Sequence, residues 1–321
     1  MALYIARRLV WTIVVVLVVL GITFVVFYKL PAGDPAVRFA GKFPNDTELA
    51  EIKHRLGLDK PWYTQFGRFV KNFATGDDGG WPGLGYSFSS QVSVLSEVKT
   101  RAPRTLWLIA GASTIWLIAG VLIGVLSAVK RRTIVDRVAM GFALFGISSP
   151  VFWLGLMGLW IFWQKLHWVG GAGYVPISDG VGKWFSHLIL PWCVLALLYA
   201  AFYARITRNN LLETLGEDYI RTARAKGLSE RRVIFRHGLR ASLTPIVTMF
   251  GLDIALLVGG AVITESVFNL QGLGWLAVQS ALGQDLPTVL GVTMLTAIAV
   301  AVMNLLVDVA YAFLDPRVRY A

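Results

Sequence analysis

The stretch GEDYIRTARAKGLSERRVIFRHGLR, residues 216–240, decides how this chain is read. It carries seven Arg and Lys, yet it lies between two long apolar runs. Its pattern holds more than charge. Glu217 and Asp218 open a short helix and Arg224 and Lys226 close it, an order that complements the helix dipole. Gly227 falls just past the helix end, where a left-handed backbone costs glycine little. Ser229 then stands as N-cap of a second helix, ERRVIFRHGLRASL. Val233, Ile234 and Phe235 are interleaved with Arg231, Arg232 and Arg236, and a purely solvated loop has no use for them. Such a segment suits either an anionic lipid surface or a groove on another protein.

Its surroundings are those of a membrane protein. Of 321 residues, 56% are hydrophobic and 15% charged, against about 25% charged in soluble proteins. A bilayer-crossing helix needs about 20 mostly apolar residues, and six runs qualify: Leu9–Phe27, Thr105–Ala128, Val138–Phe162, Leu188–Phe202, Leu243–Val267 and Pro287–Leu314. The first follows Arg7 and Arg8 and is too long for a cleaved signal, so it reads as a retained signal-anchor helix (residues 1–28). The single cysteine, Cys193, excludes an internal disulfide and is expected inside the packing.

The short connectors set the orientation. With a cytoplasmic N-terminus, the inner segments are 1–8, 129–137, 203–242 and 315–321, and they carry 17 Lys and Arg. The short outer connectors 163–187 and 266–286 carry two and none. Both termini are therefore expected in the cytoplasm. This distribution accounts for most of the net charge of +11, so nucleic acid is not among the expected partners, whereas membrane lipid is.

Residues 29–104 form an external insert. NDTELAEIKHRLGLDKP reads as a short helix with Asn45 or Asp46 as N-cap and Gly57 past its end. Pro61 opens a second helix whose Trp62, Phe66, Phe69 and Phe73 share a face. GDDGGWPGLGYSF is a Gly-rich loop, and VSVLSEVKTRAP is a helix leading to the second span. The insert is a cap on the outer span ends or a docking surface for something delivered from outside. Residues 105–321 form the core of five further spans, with the cytoplasmic loop 203–242 inside it.

No catalytic constellation stands out. His54, His167, His187 and His237 are scattered, without metal-ligand spacing. Gly182-Lys183 is followed by Trp184 where a P-loop requires Ser or Thr. Polar groups within spans carry weight because lipid penalises them. Asp253 lies about 15 Å into the fifth span at 1.5 Å per residue, and Glu265 near its outer end. Asn304, Asp308 and Tyr311 share a face of the sixth. These residues either satisfy partners between packed helices or line a water-filled path. Gly120 and Gly124, Gly141, Gly146, Gly155 and Gly158, and Gly259 and Gly260 permit close helix approach.

EDYIRTARAKGLSERRV is similar to the cytoplasmic coupling loop of ABC-importer permeases, and most closely to the dipeptide/oligopeptide/nickel branch. LGLDKPWYTQFGRFVKNF with LGYSF, ISSPVFWLG, ESVFNLQGLGWLAV and the terminal LDPRVRY resemble that branch as well, so the likeness covers nearly the whole chain. Gln271 departs from the branch's outer loop motif, which has proline there. The resemblance implies an all-α integral membrane protein of the type I importer fold: six transmembrane helices in the cytoplasmic (inner) membrane of a bacterium or archaeon. It implies a second homologous permease, two ATP-binding subunits that hold the ATP and Mg, and an external solute-binding protein, with no cofactor and no enzyme activity in this chain. The residues it assigns to coupling are Glu217, Asp218, Tyr219, Arg221, Ala223, Ala225, Gly227, Leu228, Ser229 and Val233. The path candidates are Asp253, Glu265, Asn304 and Asp308. Di- or oligopeptides are the expected cargo, with nickel, glutathione or oligosaccharide as alternatives. Outside the family, the competing readings are an ion-coupled secondary transporter, which calls for inverted repeats, and a membrane enzyme, which calls for a nucleophile or metal cluster.

Overall fold

A computed structural model of the chain describes residues 2–29, 36–37, 45–87 and 89–314. Apolar composition dictates what it contains, since backbone polar groups in lipid must be paired within the segment. The first helix, α1, runs Ala2–Phe24 and continues as a π turn, Val25–Lys29. The insert supplies α2 (Asp46–Leu56) and α3 (Trp62–Thr75). Gly57 past the end of α2 has φ +65° and Pro61 precedes α3, as the sequence predicts. The Gly-rich loop ends in a two-residue antiparallel hairpin, β1 (Tyr86–Ser87) with β2 (Val92–Ser93), which the sequence did not announce.

The next helix, α4 (Val94–Val129), fuses the last insert helix to the second span and runs through Pro103. The third apolar run is broken. α5 (Ile134–Ser148) and α6 (Val151–Gly158, extended by a π stretch Leu159–Lys165) meet at 101° instead of forming one straight span. Pro150 explains the break: it lacks an N–H and drives the preceding Ser149 into extended backbone (φ −87°, ψ 129°). The fourth, α7 (Val181–Thr214), extends beyond the expected 188–202 at both ends.

Two short helices follow, α8 (Asp218–Ala225) and α9 (Glu230–Arg232). A π stretch, Val233–Leu239, leads to α10 (Arg240–Ser242) and α11 (Thr244–Val258). The fifth apolar run thus ends at Val258 and not at Val267, because Gly260 turns the chain with φ +104°. α12 (Val262–Val267), α13 (Leu273–Leu282) and α14 (Leu286–Leu314) complete the chain. Among the described residues four helices are long and apolar enough to cross a membrane, and six spans result if each bent pair counts as one. The terminal LDPRVRY beyond Leu314, Phe88 and most of 30–44 lie outside the described residues.

Packing divides the chain into two compact units. In the first (Met1–Leu106, Ala255–Glu265, Leu270–Leu305), Leu20, Phe24, Tyr28 and Ile52 pack with Leu290 and Met294. Phe66, Phe69 and Phe73 of α3 lie against this cluster, while Trp62, at the end of the same stripe, is exposed. In the second (Trp107–Ile254, Ser266–Asn269, Leu306–Ala321), α4 and α7 approach closely. A Cβ added at Gly120 would lie 2.6 Å from the Tyr203 side chain, and one at Gly124 2.6 Å from Thr207. Cys193 of α7 is exposed, not buried as expected. In a bilayer the outer helix face is as apolar as the core, so an apolar run does not tell the two faces apart.

Candidate functional site

The 216–240 segment folds as a helix, a glycine elbow and a second helical stretch, all within the second unit. Glu217 occupies the N-cap of α8 with extended backbone (φ −68°, ψ 151°) but makes no side-chain capping bond. At the other end the Gly227 N–H donates to the Arg224 carbonyl (2.9 Å) and the Leu228 N–H to the Ala223 carbonyl (3.3 Å). With Gly227 at φ +76°, this is a complete Schellman motif, and Leu228 supplies its apolar contact. Ser229 is exposed and takes the N-cap position of α9, again without a side-chain bond.

The faces of this elbow are sorted. Ile220, Ala223 and Val233 are buried against one another, with Leu215 and Leu228 packed on them. Ile234 is buried with Val125 and Ala128 of α4 and Leu211 of α7. A Cβ on the buried Gly238 would come within 3.1 Å of Leu211 and Leu215, so the π stretch lies close along the end of α7. The sequence expectation that Val233 and Ile234 meet another molecule is thus corrected: both face this chain's own core, and of the Val-Ile-Phe run only Phe235 is exposed. The outward face carries Glu217, Asp218, Tyr219, Arg221 and Ala225. Arg221 makes an exposed 3.3 Å pair with Asp218, and Arg224 spans the elbow to Glu230 at 2.7 Å. That hydrogen bond holds Glu230 below, and Arg224 above, their ordinary pKa values.

The four path candidates are differently placed. Asp253 of α11 is half-buried and accepts a 2.6 Å hydrogen bond from the Tyr203 hydroxyl. Beside Tyr203 lies an aromatic group in which Trp116 stacks on Tyr199 at 4.5 Å and meets Phe250 edge-on. On α14, Asn304 is exposed and Asp308 half-buried, and the Tyr311 side chain lies outside the described residues. Glu265 is fully buried in the first unit and caps a helix. Its carboxylate accepts from the Thr105 hydroxyl (2.7 Å) and from the Trp275 N–H (2.8 Å) at the start of α13, while Thr105 accepts from the Leu273 N–H (2.8 Å). A carboxylate at a helix N-terminus is favoured by the dipole and by unpaired N–H groups.

This cap explains the surrounding motif. A Cβ on Gly272 would lie 2.7 Å from the Glu265 carboxyl carbon, and one on Gly274 2.8 Å from Val262. Gln271, in place of the proline of the resembled motif, has φ +53°, which a pyrrolidine ring cannot adopt. The turn here is therefore not one that proline could make. Gln271 instead offers its side-chain oxygen to Arg104 (3.3 Å) and its carbonyl to Arg101 (3.3 Å), and Arg101 stacks over Trp275.

One cluster escaped the sequence reading. Asp136, 5% exposed, sits in the first turn of α5. It receives both the Nε and Nη2 of Arg208 (2.7 and 2.9 Å), the Ser127 hydroxyl, and the Arg132 N–H (2.9 Å). In the sequence it was one acid in the cationic connector KRRTIVDR; its place in the first turn of a helix was the one available signal.

Comparison with known proteins agrees with this architecture. The family model "Binding-protein-dependent transport system inner membrane component" matches residues 120–320, and its N-terminal companion matches residues 1–109. The chain is 39% identical over 320 residues to the "Probable peptide ABC transporter permease protein y4tP" of Sinorhizobium fredii, covering 100% of both. It is 38% identical over 317 residues to the glutathione transport system permease protein GsiC of Escherichia coli, covering 99% of both. Among solved structures, an inward-facing MetNI methionine ABC transporter shares the fold, with TM-score 0.53 and 20% identity over 69% of this chain and 97% of that one. The chain therefore belongs to the binding-protein-dependent transport system inner membrane components, as a multi-pass permease on the peptide branch of the ABC importers.

Proposed function

We propose that this chain forms one half of the translocation path of an ATP-driven importer of short peptides, and that the 217–240 elbow is where the ATPase subunits move it. The observation that carries the reading is the sorting of that elbow. Its inner face is fastened to α4 and α7 through Ile234, Gly238 and Leu211, while its outer face offers Asp218, Tyr219 and Arg221. A helix held firmly on one side and exposed on the other is suited to receive a push and pass it to the spans. On this reading Ala223, Leu228, Val233 and Gly227 are the frame of the lever, and Glu217, Asp218, Tyr219, Arg221, Ala225 and Ser229 are its contact surface. One of two ATPase subunits docks there, the pair carrying the ATP and Mg, a second homologous permease completes the path, and an external binding protein delivers the cargo. Six spans with both termini inside fit the charge distribution, each bent pair counting as one span. Asp253, with Asn304 and Asp308, faces the path, and switching is alternating access by rigid-body motion.

Peptides are favoured as cargo because the relatives are named for peptide and for glutathione, itself a tripeptide. The test is uptake by the complete importer reconstituted in vesicles. Labelled di- and tripeptides are expected to accumulate only with ATP and the binding protein. Accumulation driven by an ion gradient without ATP would instead make the chain a secondary carrier, and ATP-dependent uptake of nickel or oligosaccharide alone would replace the cargo.

A further inference from the structure

The Asp136 cluster lies at the end of the second unit where the 216–240 elbow is attached, and a continuous line of packed groups joins them. From the elbow core of Ile220, Ala223 and Val233, the next residue, Ile234, enters the cluster of Val125, Ala128 and Leu211. Leu211 lies three residues after Arg208 on α7, and so one turn along the same face. Arg208 then reaches Asp136 on α5, and Asp136 in turn holds Ser127 on α4 and the Arg132 N–H in the turn between α4 and α5. Four donors converge on one carboxylate, and they come from α7, from α4 and from the turn between α4 and α5.

Small residues complete the body. Gly124 leaves no room for a side chain against Ala204 and Thr207, and a Cβ on Gly146 of α5 would lie 3.0 Å from Ala201. The glycine contacts let α4, α5 and α7 touch, but apolar contacts between helices in lipid are non-directional and permit sliding. A bidentate Arg–carboxylate pair fixes distance and angle together. With side-chain exposures of 7% for Asp136 and 20% for Arg208, its rupture would strand a charge away from water.

We propose that Asp136 and Arg208 are positioning residues that latch α4, α5 and α7 into one rigid body at the elbow end, so that motion of the elbow turns three helices together. The proposal rests on the reading of 217–240 as the coupling segment, and the experiment separates the two. In the complete reconstituted importer, with Cys193→Ala as background, spin labels at Val138→Cys on α5 and Phe202→Cys on α7 report their separation with and without ATP. The parent is expected to show the same distance distribution in both states. In Asp136→Asn the distribution broadens or shifts with nucleotide, and peptide taken up per ATP hydrolysed falls about tenfold or more, the scale of leaving a buried charge unpaired. Arg208→Lys, which keeps the charge but not the fork, is expected to fall between parent and Asp136→Asn.

A parent distance that changes with nucleotide overturns the latch, and this measurement needs no variant of the pair. Assembled Asp136→Asn complex with the parent ratio of uptake to hydrolysis overturns it as well. If Gly227→Val uncouples while Asp136→Asn does not, the latch fails and the coupling reading stands. If neither uncouples, both fail.

Discussion

The Tyr203 hydroxyl donates to Asp253 Oδ2 at 2.6 Å, joining α7 to α11 by a single polar bond within apolar surroundings. Tyr203 is 1% exposed, whereas Asp253 is only half-buried. Carboxylates within membrane-spanning helices face a bundle interior or water and rarely lipid. A cysteine at position 253, in a Cys193→Ala background, is therefore expected to react with a small aqueous thiol reagent faster in one nucleotide state than in the other. The background matters because Cys193 is itself exposed. Complete protection in every state would assign Asp253 to packing against the second permease.

Gly227 separates backbone strain from crowding. No atom lies within 4 Å of a Cβ added there, yet its φ is +76°. A left-handed residue other than glycine costs about 1–2 kcal/mol, and Asn tolerates that region best among the alternatives. Gly227→Val is thus expected to leave the importer assembled but to lower peptide-stimulated ATP hydrolysis and uptake together. Gly227→Asn should stay near the parent value. Equal loss in both variants would point to a contact with another subunit at this position instead of the elbow's backbone.

What the sequence disclosed here was local. The acidic start, the basic end and Gly227 define α8 within eleven residues, Glu217 to Gly227, and the structure adds the two Schellman hydrogen bonds they imply. Gly57 and Pro61 bound α2 and α3 for the same reason. What stayed hidden depends on partners distant in sequence. Asp136 meets Arg208 72 residues away, and Glu265 meets Thr105 160 residues away. An acid near the end of an apolar run reads equally as path or cap until the N–H groups of the next helix are placed beside it. The broken third run was legible in principle: ISSPVFWLG contains Pro150, but its apolar flanks masked the break.

The two faces of α8 are expected to fail differently. Tyr219 is 46% exposed and its neighbour Ile220 is fully buried. Tyr219→Ala should leave the melting temperature of the purified permease unchanged and weaken capture of the ATPase subunits. Ile220→Ala removes a core side chain at a cost of about 2–5 kcal/mol, so it should open the elbow to limited proteolysis even in the isolated permease. Loss of ATPase binding in Ile220→Ala alone, with Tyr219→Ala unaffected, would show that the docking surface lies elsewhere on the loop.

Glu265 provides the sharpest contrast between a capping and a path-lining acid. As a cap, its two carboxylate oxygens accept from Thr105 Oγ1 and the Trp275 N–H. Glu265→Gln turns one of those oxygens into an NH2 facing a donor and removes the charge from the start of α13. Hydrogen bonds to a charged group are worth about 1.5–3 kcal/mol, so the variant should melt several degrees lower. Gly272→Ala should behave alike, because the new methyl would stand 2.7 Å from the Glu265 carboxyl carbon. Uptake per assembled complex should be nearly unchanged in both. A path residue would show the opposite pattern, with full thermal stability and altered transport of charged peptides, and that outcome would return Glu265 to the translocation path.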